Sequence, residues 1–151
     1  MAISKINGVT AYEYYMLEGV FSSAVWSPVD ATTYYGGDRP SLSTTTTAAI
    51  SRLYTPFAGT ITRCDVFVAN DGTLGSGETS TLSIRLNNST DTTVSSAITT
   101  NATANIFRNT SLSIAVDTTD YIEFKWVTPT WATNPTSVRI VCRVSIRKSL
   151  T

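Results

Sequence analysis

The chain has 151 residues, which suits a single domain with a full hydrophobic core; 42% of them are hydrophobic and only 15% are charged. Eleven acidic and eleven basic residues cancel, so no net field favours binding to nucleic acid or to an anionic membrane. The chain contains no histidine, the usual proton-transfer group near neutral pH, and its carboxylates are scattered, so we expect no enzymatic activity.

Residues 1–30 are rich in aromatic and apolar side chains but do not alternate strictly, and Pro28 with Asp30 marks their end. We predict an N-terminal arm that packs on its own domain or on a neighbouring subunit. A first core strand followed by a short helical turn is an equal alternative. The candidate interface residues in this arm are Tyr12, Tyr14, Tyr15, Met16, Leu17 and Phe21.

The start of the chain lacks the apolar core of a signal peptide. No apolar run approaches the roughly 18–20 residues of a membrane-spanning helix. We therefore expect a protein that is made in the cytoplasm and does not bind a membrane.

Residues 31–151 are predicted to form one antiparallel β-sandwich. Leu82, Ile84 and Leu86 alternate with polar residues, as expected of a strand with one buried face. The predicted strands cover 49–54, 59–70, 79–86, 92–98, 104–108, 111–116, 121–127 and 136–148. Residues 31–47 are read as an irregular connection in which 33–35 is a candidate for a short edge strand. Short strands at this spacing are typical of an all-β, two-sheet sandwich of jelly-roll type with about eight strands.

Two cysteines, Cys64 and Cys142, share the inward side of their predicted strands with apolar neighbours. We interpret them as reduced core residues, with a disulfide between them as the alternative. Two cysteines without a histidine cannot complete a zinc site. The chain also has no phosphate-binding glycine loop at a helix start, so we expect no metal and no cofactor.

Three arginines share the outward side of the last predicted strand: Arg139, Arg143 and Arg147. We expect Arg63 and Arg85 to share this face. Asp65 and Glu123 also point outward and offer cross-strand ion pairs. The pattern favours a solvated face or a subunit contact over a phosphate-binding ladder. Phe67 is predicted on the outward side as well, which indicates an outer surface that is covered.

A loop bracketed by Pro129 and Pro135 carries Trp131, the leading candidate for an exposed aromatic residue. Tyr34 and Tyr35 lie in another predicted loop region. Exposed aromatic rings stack on sugars, so these three residues are the candidate ligand-binding site of a carbohydrate binder. We nevertheless favour the interpretation that Trp131 folds back to cap an open end of the core. Trp126 alternates with Ile122 and Phe124 and is predicted to lie in the core.

Four segments of the chain match a known pattern: Thr-Pro-Phe-Ala-Gly-Thr-Ile at 55–61, the Gly-Ser loop at 70–77, Leu-Ser-Ile-Arg-Leu-Asn at 82–87 and Asp-Tyr-Ile-Glu-Phe-Lys at 120–125. With these segments, the chain resembles the small jelly-roll domains of tailed-phage virions, which occur in capsid decoration (cement) proteins, head fibres and tail-fibre or baseplate tips. The resemblance covers about residues 45–148.

The resemblance implies a homotrimer on the virion surface, held to the particle by its N-terminal segment. A decoration protein that binds the major capsid protein or another virion protein and stabilises the shell is the function we predict. The alternative is a receptor- or carbohydrate-binding tip of a tail fibre or baseplate, which would bind a host-surface glycan. The absence of a coiled-coil repeat that could form a shaft favours decoration.

Overall fold

The structure is a computed structural model that describes residues 5–6, 9–10, 12–20, 26–37, 44 and 51–149. The described residues form twelve strands and no α-helix. The strands are β1 (Lys5–Ile6), β2 (Val9–Thr10), β3 (Tyr12–Val20), β4 (Thr33–Gly36), β5 (Leu53–Tyr54), β6 (Gly59–Asn70), β7 (Ser80–Leu86), β8 (Thr90–Ile98), β9 (Ala104–Asn109), β10 (Ile114–Val116), β11 (Tyr121–Val127) and β12 (Val138–Ser149).

Ten of these strands form two antiparallel five-stranded sheets, and β1 pairs with β2 in a separate hairpin. The β12 sheet has the order β3–β12–β6, and β9 and β10 both pair with β6. The β11 sheet has the order β8–β7–β11, and β4 and β5 both pair with β11. If β4 with β5, and β9 with β10, are each counted as one interrupted strand, each sheet has four strands. This arrangement confirms the predicted all-β sandwich of jelly-roll type with about eight strands.

The core lies between the two sheets and follows the period of two in their strands. In β6, Cys64, Val66 and Val68 are fully buried while Phe67 between them is exposed. In β11, Phe124 and Trp126 are fully buried, as the alternation predicts. Burial of each such side chain stabilises the fold by about 1.5–3 kcal/mol, which explains why the alternation fixes the pairing register.

A tight turn joins β7 to β8 and shows how local sequence sets this register. Asn87 and Asn88 both have positive φ angles, 49° and 55°, which asparagine adopts more readily than most residues. The Asn88 side chain accepts a hydrogen bond from Arg85 Nε at 3.1 Å, and the Asn87 amide donates to Asp120 Oδ1 at 2.6 Å. The hairpin is therefore fixed to the turn that precedes β11.

Residues 12–20, which the sequence analysis assigns to an N-terminal arm, form β3 and pair along their length with β12. This part of the segment is the edge strand of its own sandwich. Contact of the segment with another subunit stays a prediction, as does the division at residue 30. Within the described ranges no helix has the length and apolar character needed to cross a membrane.

Candidate functional site

The predicted interface residues of β3 lie on both sides of the β12 sheet because the strand alternates. Tyr15 and Leu17 pair with the inward-facing Ile146 and Val144 of β12, and Leu17 packs against the core. Tyr15 is nevertheless 39% exposed, and the neighbours of both residues on the outward side are exposed as well. These outward residues are Tyr12, Tyr14 and Met16. Phe21 lies outside the described residues.

An apolar row crosses the outward side of the β12 sheet next to β3. Ile106, Phe67 and Val141 are cross-strand neighbours on β9, β6 and β12. Ile106 is 67% exposed and Phe67 is 42% exposed. The solvent side of an antiparallel sheet usually carries polar residues, so a row of this kind indicates a surface that is covered by another molecule. The outward position predicted for Phe67 is confirmed.

A charged row lies beside the apolar row, and on each strand the two rows are two residues apart. Arg108, Asp65, Arg143 and Glu18 follow one another in register across β9, β6, β12 and β3. Asp65 accepts a hydrogen bond from Arg108 Nε at 2.5 Å, and Arg143 forms an ion pair with Glu18. The charges therefore alternate in sign across the whole width of the sheet.

Asp65 also pairs with Arg63, whose Nε lies 2.8 Å from Oδ2. Partial burial works against ionisation of Asp65, but the hydrogen bonds and charges of Arg63 and Arg108 outweigh it. The pKa of Asp65 is consequently below its ordinary value. Exposed pairs of this kind each stabilise a fold by at most about 1 kcal/mol, so they determine what the surface can contact more than how stable it is.

We call these two rows, together with Arg63 and Met16, the outer face. Arg63 and Met16 lie next to the charged row, on the side nearer Tyr14. The outer face encloses a shallow depression of about 500 Å³ between the charged and apolar side chains. The outer face combines exposed apolar area with fixed, alternating charges. Such a surface suits recognition of another protein.

The structure corrects the predicted ligand-binding site. Trp131 is only 5% exposed, and Tyr34 and Tyr35 are buried as well. The favoured interpretation, that Trp131 folds back onto the core, is confirmed by its ring lying 6.2 Å from that of Trp126. Tyr34 and Tyr35 belong to β4, which pairs with β11, so the candidate edge strand at 33–35 forms and these residues do not lie in an open loop. None of the three offers an open ring face for stacking on a sugar.

The other sheet contains the only charged side chain that is fully buried among the described residues, Glu123. The alternation of β11 places it on the outward side, as predicted, but Ser51 covers it and donates a hydrogen bond to Oε1 at 2.5 Å. Oε2 has no hydrogen-bond partner. A general acid or base must reach its substrate, and this carboxylate exposes neither oxygen. Glu123 is therefore not the exposed ion-pair partner that the sequence predicts.

The arginines that are predicted to share one face lie on two different sheets. The alternation within one strand does not show to which sheet that strand belongs. Arg63 shares the outer face with Arg143, as predicted. Arg85 lies on β7 in the β11 sheet and pairs with Asp91 at 2.8 Å, so its predicted place beside Arg143 is wrong. Arg139 pairs with Asp71 at 3.1 Å beside the loop after β6.

Cys64 and Cys142 are both free and fully buried, which confirms the reduced core residues predicted. Burial raises the pKa of the Cys64 thiol to about 12, and burial also raises the pKa of Cys142. Thiols in this state are not nucleophiles. No group of three or more potential metal ligands occurs within the described ranges.

No protein-family model and no curated protein matches the chain. Among solved structures, it is similar to FLHE, with a TM-score of 0.45 and 10% identity over 88% of this chain and 96% of that one. It is similar to a chain of the infectious bursal disease virus Gx strain, with a TM-score of 0.48 and 11% identity over all of this chain and 41% of that one.

A third similar structure is the capsid of Helicobacter pylori bacteriophage KHP30. The TM-score is 0.44 and the identity 12%, over 93% of this chain and 97% of that one. Likenesses this distant do not distinguish between the functions of these proteins, so the chemistry of the outer face carries the functional argument.

Proposed function

We propose that this chain is a non-enzymatic structural protein of a virus particle, and that it decorates and stabilises the outside of the shell. The observation that carries the proposal is the outer face, where an exposed apolar row crosses the middle of a sheet. Exposed apolar area of this kind stabilises an assembly when a neighbouring subunit covers it, by about 25 cal/mol for each Å² removed from water. The costs of association offset much of that gain, so a single contact of this kind is weak. A partly polar face therefore suits contacts that are repeated over many copies.

Two further features support a virion protein. The jelly-roll topology is the one implied by the sequence resemblance to the decoration and fibre domains of tailed phages. The low content of charged residues, 15%, suits a surface that is largely in contact with other proteins. The proposed partners are further copies of the chain, with the major capsid protein or another virion protein; the homotrimer that the resemblance implies stays a prediction.

The Tyr12–Tyr15 end of β3 is the proposed site of attachment to the shell. Tyr12 and Tyr14 are exposed on its outward side, and Tyr12 lies under the Arg147 guanidinium, 4.6 Å from its ring centroid. Tyrosine side chains bury a large area at a low cost in conformational entropy, which explains their enrichment in protein interfaces. Because β3 covers the edge of β12, point substitutions test this site better than removal of the strand.

The alternative function is a receptor-binding tip, which the sequence supported through three aromatic residues expected to bind a sugar. Its sugar-binding hypothesis required open aromatic rings, and Trp131, Tyr34 and Tyr35 are buried.

The proposal is tested by adding the purified chain to particles that lack it. We expect saturable binding at many sites and a higher temperature of genome release. The variant Tyr14→Ser should bind weakly, while the matched variant Tyr54→Ser should bind as the wild type does, because these tyrosines are 63% and 60% exposed on opposite sheets. Binding only at the tail, or no binding, would contradict the proposal.

A further inference from the structure

We propose that the outer face binds a second copy of this chain across a two-fold axis that runs parallel to the strands, between β6 and β12. The inference deepens the proposed function, because it names the partner at this face, and it rests on the same apolar row. The charged row determines the geometry.

The charged row is self-complementary in one orientation. Its order across the sheet is Arg108, Asp65, Arg143, Glu18, with alternating signs. Rotation by 180° about an axis along the strands reverses this order in the copy that lies opposite. Arg108 then faces Glu18 of the second copy, and Asp65 faces its Arg143. Every charge in the row meets an opposite charge.

The same rotation also matches the apolar row with itself. Phe67 of one copy lies opposite Val141 of the other, because β6 and β12 exchange places across the axis. Phe67 and Val141 are thereby covered by apolar side chains. An axis along the row would instead place each charge opposite its own counterpart, which would repel. Contacts related by a two-fold axis are the commonest in homo-oligomers.

The area of this face limits the strength of the contact. Four strands about 4.8 Å apart give a width of roughly 19 Å, and eight residues of β12 at about 3.3 Å give a length of roughly 26 Å. Each copy would bury on the order of 500 Å², so the pair buries about 1,000 Å², near the lower limit for a specific interface. We therefore expect dimerisation that depends on concentration. The Tyr12–Tyr15 end of β3 lies outside this area and stays available to the shell.

Light scattering during size-exclusion chromatography tests the inference. At ~0.5 mM the wild type should have a mass of two chains, or of another even number if a second contact also forms. The variant Phe67→Glu should halve that mass. Tyr54→Ser, on the opposite sheet, should leave it unchanged. A wild-type mass of one chain or of three chains at this concentration would overturn the inference.

A charge exchange provides the second, independent test, because its residues are more exposed than Phe67. Glu18→Arg alone places two like charges opposite each other and should halve the mass. Adding Arg108→Glu to Glu18→Arg restores opposite charges across the axis and should restore the wild-type mass. The control Thr93→Arg adds a charge to an exposed position of the β11 sheet and should have no effect. An unchanged mass in Glu18→Arg, or no restoration in the double variant, would overturn the inference.

The two proposals fail in different ways. A purified chain that is monomeric at ~0.5 mM but still coats particles would contradict the two-fold contact and leave the decoration role intact. A dimer that does not bind particles would contradict the decoration role and leave the two-fold contact intact.

Discussion

The indole ring of Trp131 lies against that of Trp126, with ring centroids 6.2 Å apart and planes inclined by 53°. Trp131 belongs to the loop after β11, and Trp126 is the last residue but one of that strand. The ring of Trp26 also packs against that of Trp126, with ring centroids 5.2 Å apart. The backbone N–H of Trp131 donates to Asp30 Oδ1 at 3.2 Å, which fixes its loop to the segment before β4. These aromatic contacts make the loop part of the core.

We expect Trp131→Ala to lower the free energy of unfolding by about 3–5 kcal/mol, the usual cost of truncating a buried tryptophan. Denaturant unfolding followed by circular dichroism measures this value. Val29→Ala is the control, because Val29 is exposed in the neighbouring segment; its effect should stay within about 0.5 kcal/mol. A loss no greater than that of the control would contradict the burial of Trp131.

The Trp126 indole N–H is fully buried and donates to Ser80 Oγ at 2.6 Å. Ser80→Ala removes this acceptor and leaves the donor without a partner, which should cost about 1–3 kcal/mol of stability. The same unfolding measurement checks the cost. Ser96→Ala, at an exposed position of β8, should change stability little. Equal effects of the two substitutions would show that the hydrogen bond contributes nothing.

Asp91 accepts hydrogen bonds from Lys125 Nζ at 2.6 Å and from Arg85 Nη1 at 2.8 Å. Partial burial opposes its ionisation, but these two bonds outweigh burial and lower its pKa. A lowered pKa stabilises the fold above the ordinary value of about 3.9, and this contribution is lost as the pH falls through the folded-state pKa. Asp91→Asn should therefore be less stable than the wild type at pH 7, by about 1 kcal/mol.

That difference should shrink below about pH 4, where the wild-type carboxylate becomes protonated. Unfolding curves at pH 7 and at about pH 2 give both values. A difference of the same size at both pH values would mean that the charge of Asp91 has no part in it.

The buried thiols of Cys64 and Cys142 should not react with a thiol reagent in the native protein at pH 8. Burial raises the pKa of both, to about 12 for Cys64, so the reactive thiolate is scarce and enclosed. In denaturant without reductant, we expect both thiols of each chain to react. Rapid reaction of the native protein would contradict their burial, and a lack of reactive thiols in denaturant would indicate a disulfide.

The sequence predicts strands well where only one face of the sheet is apolar. Leu82 and Ile84 alternate with polar residues, and β7 is found almost where expected. In β3 the rule fails, because Tyr14 and Met16 on the outward side are as apolar as Tyr15 and Leu17 on the inward side. When both faces of a strand are apolar, apolar and polar residues do not alternate, so the sequence leaves a packed arm and a first core strand as equal alternatives.

The outer face could be predicted only in part, since it depends on register between distant strands. Alternation indicates that Phe67 points outward, but only the pairing of β6 with β9 places it beside Ile106. Sheet membership is equally invisible from one strand, which explains the misplacement of Arg85. Burial of Glu123 depends on Ser51, 72 residues away in the chain.

The copy number of this chain in purified particles, measured by quantitative mass spectrometry against the major capsid protein, tests the decoration role most directly. The account predicts hundreds of copies in a simple ratio to the capsid protein. Complete absence, or a handful of copies confined to the tail, would contradict it.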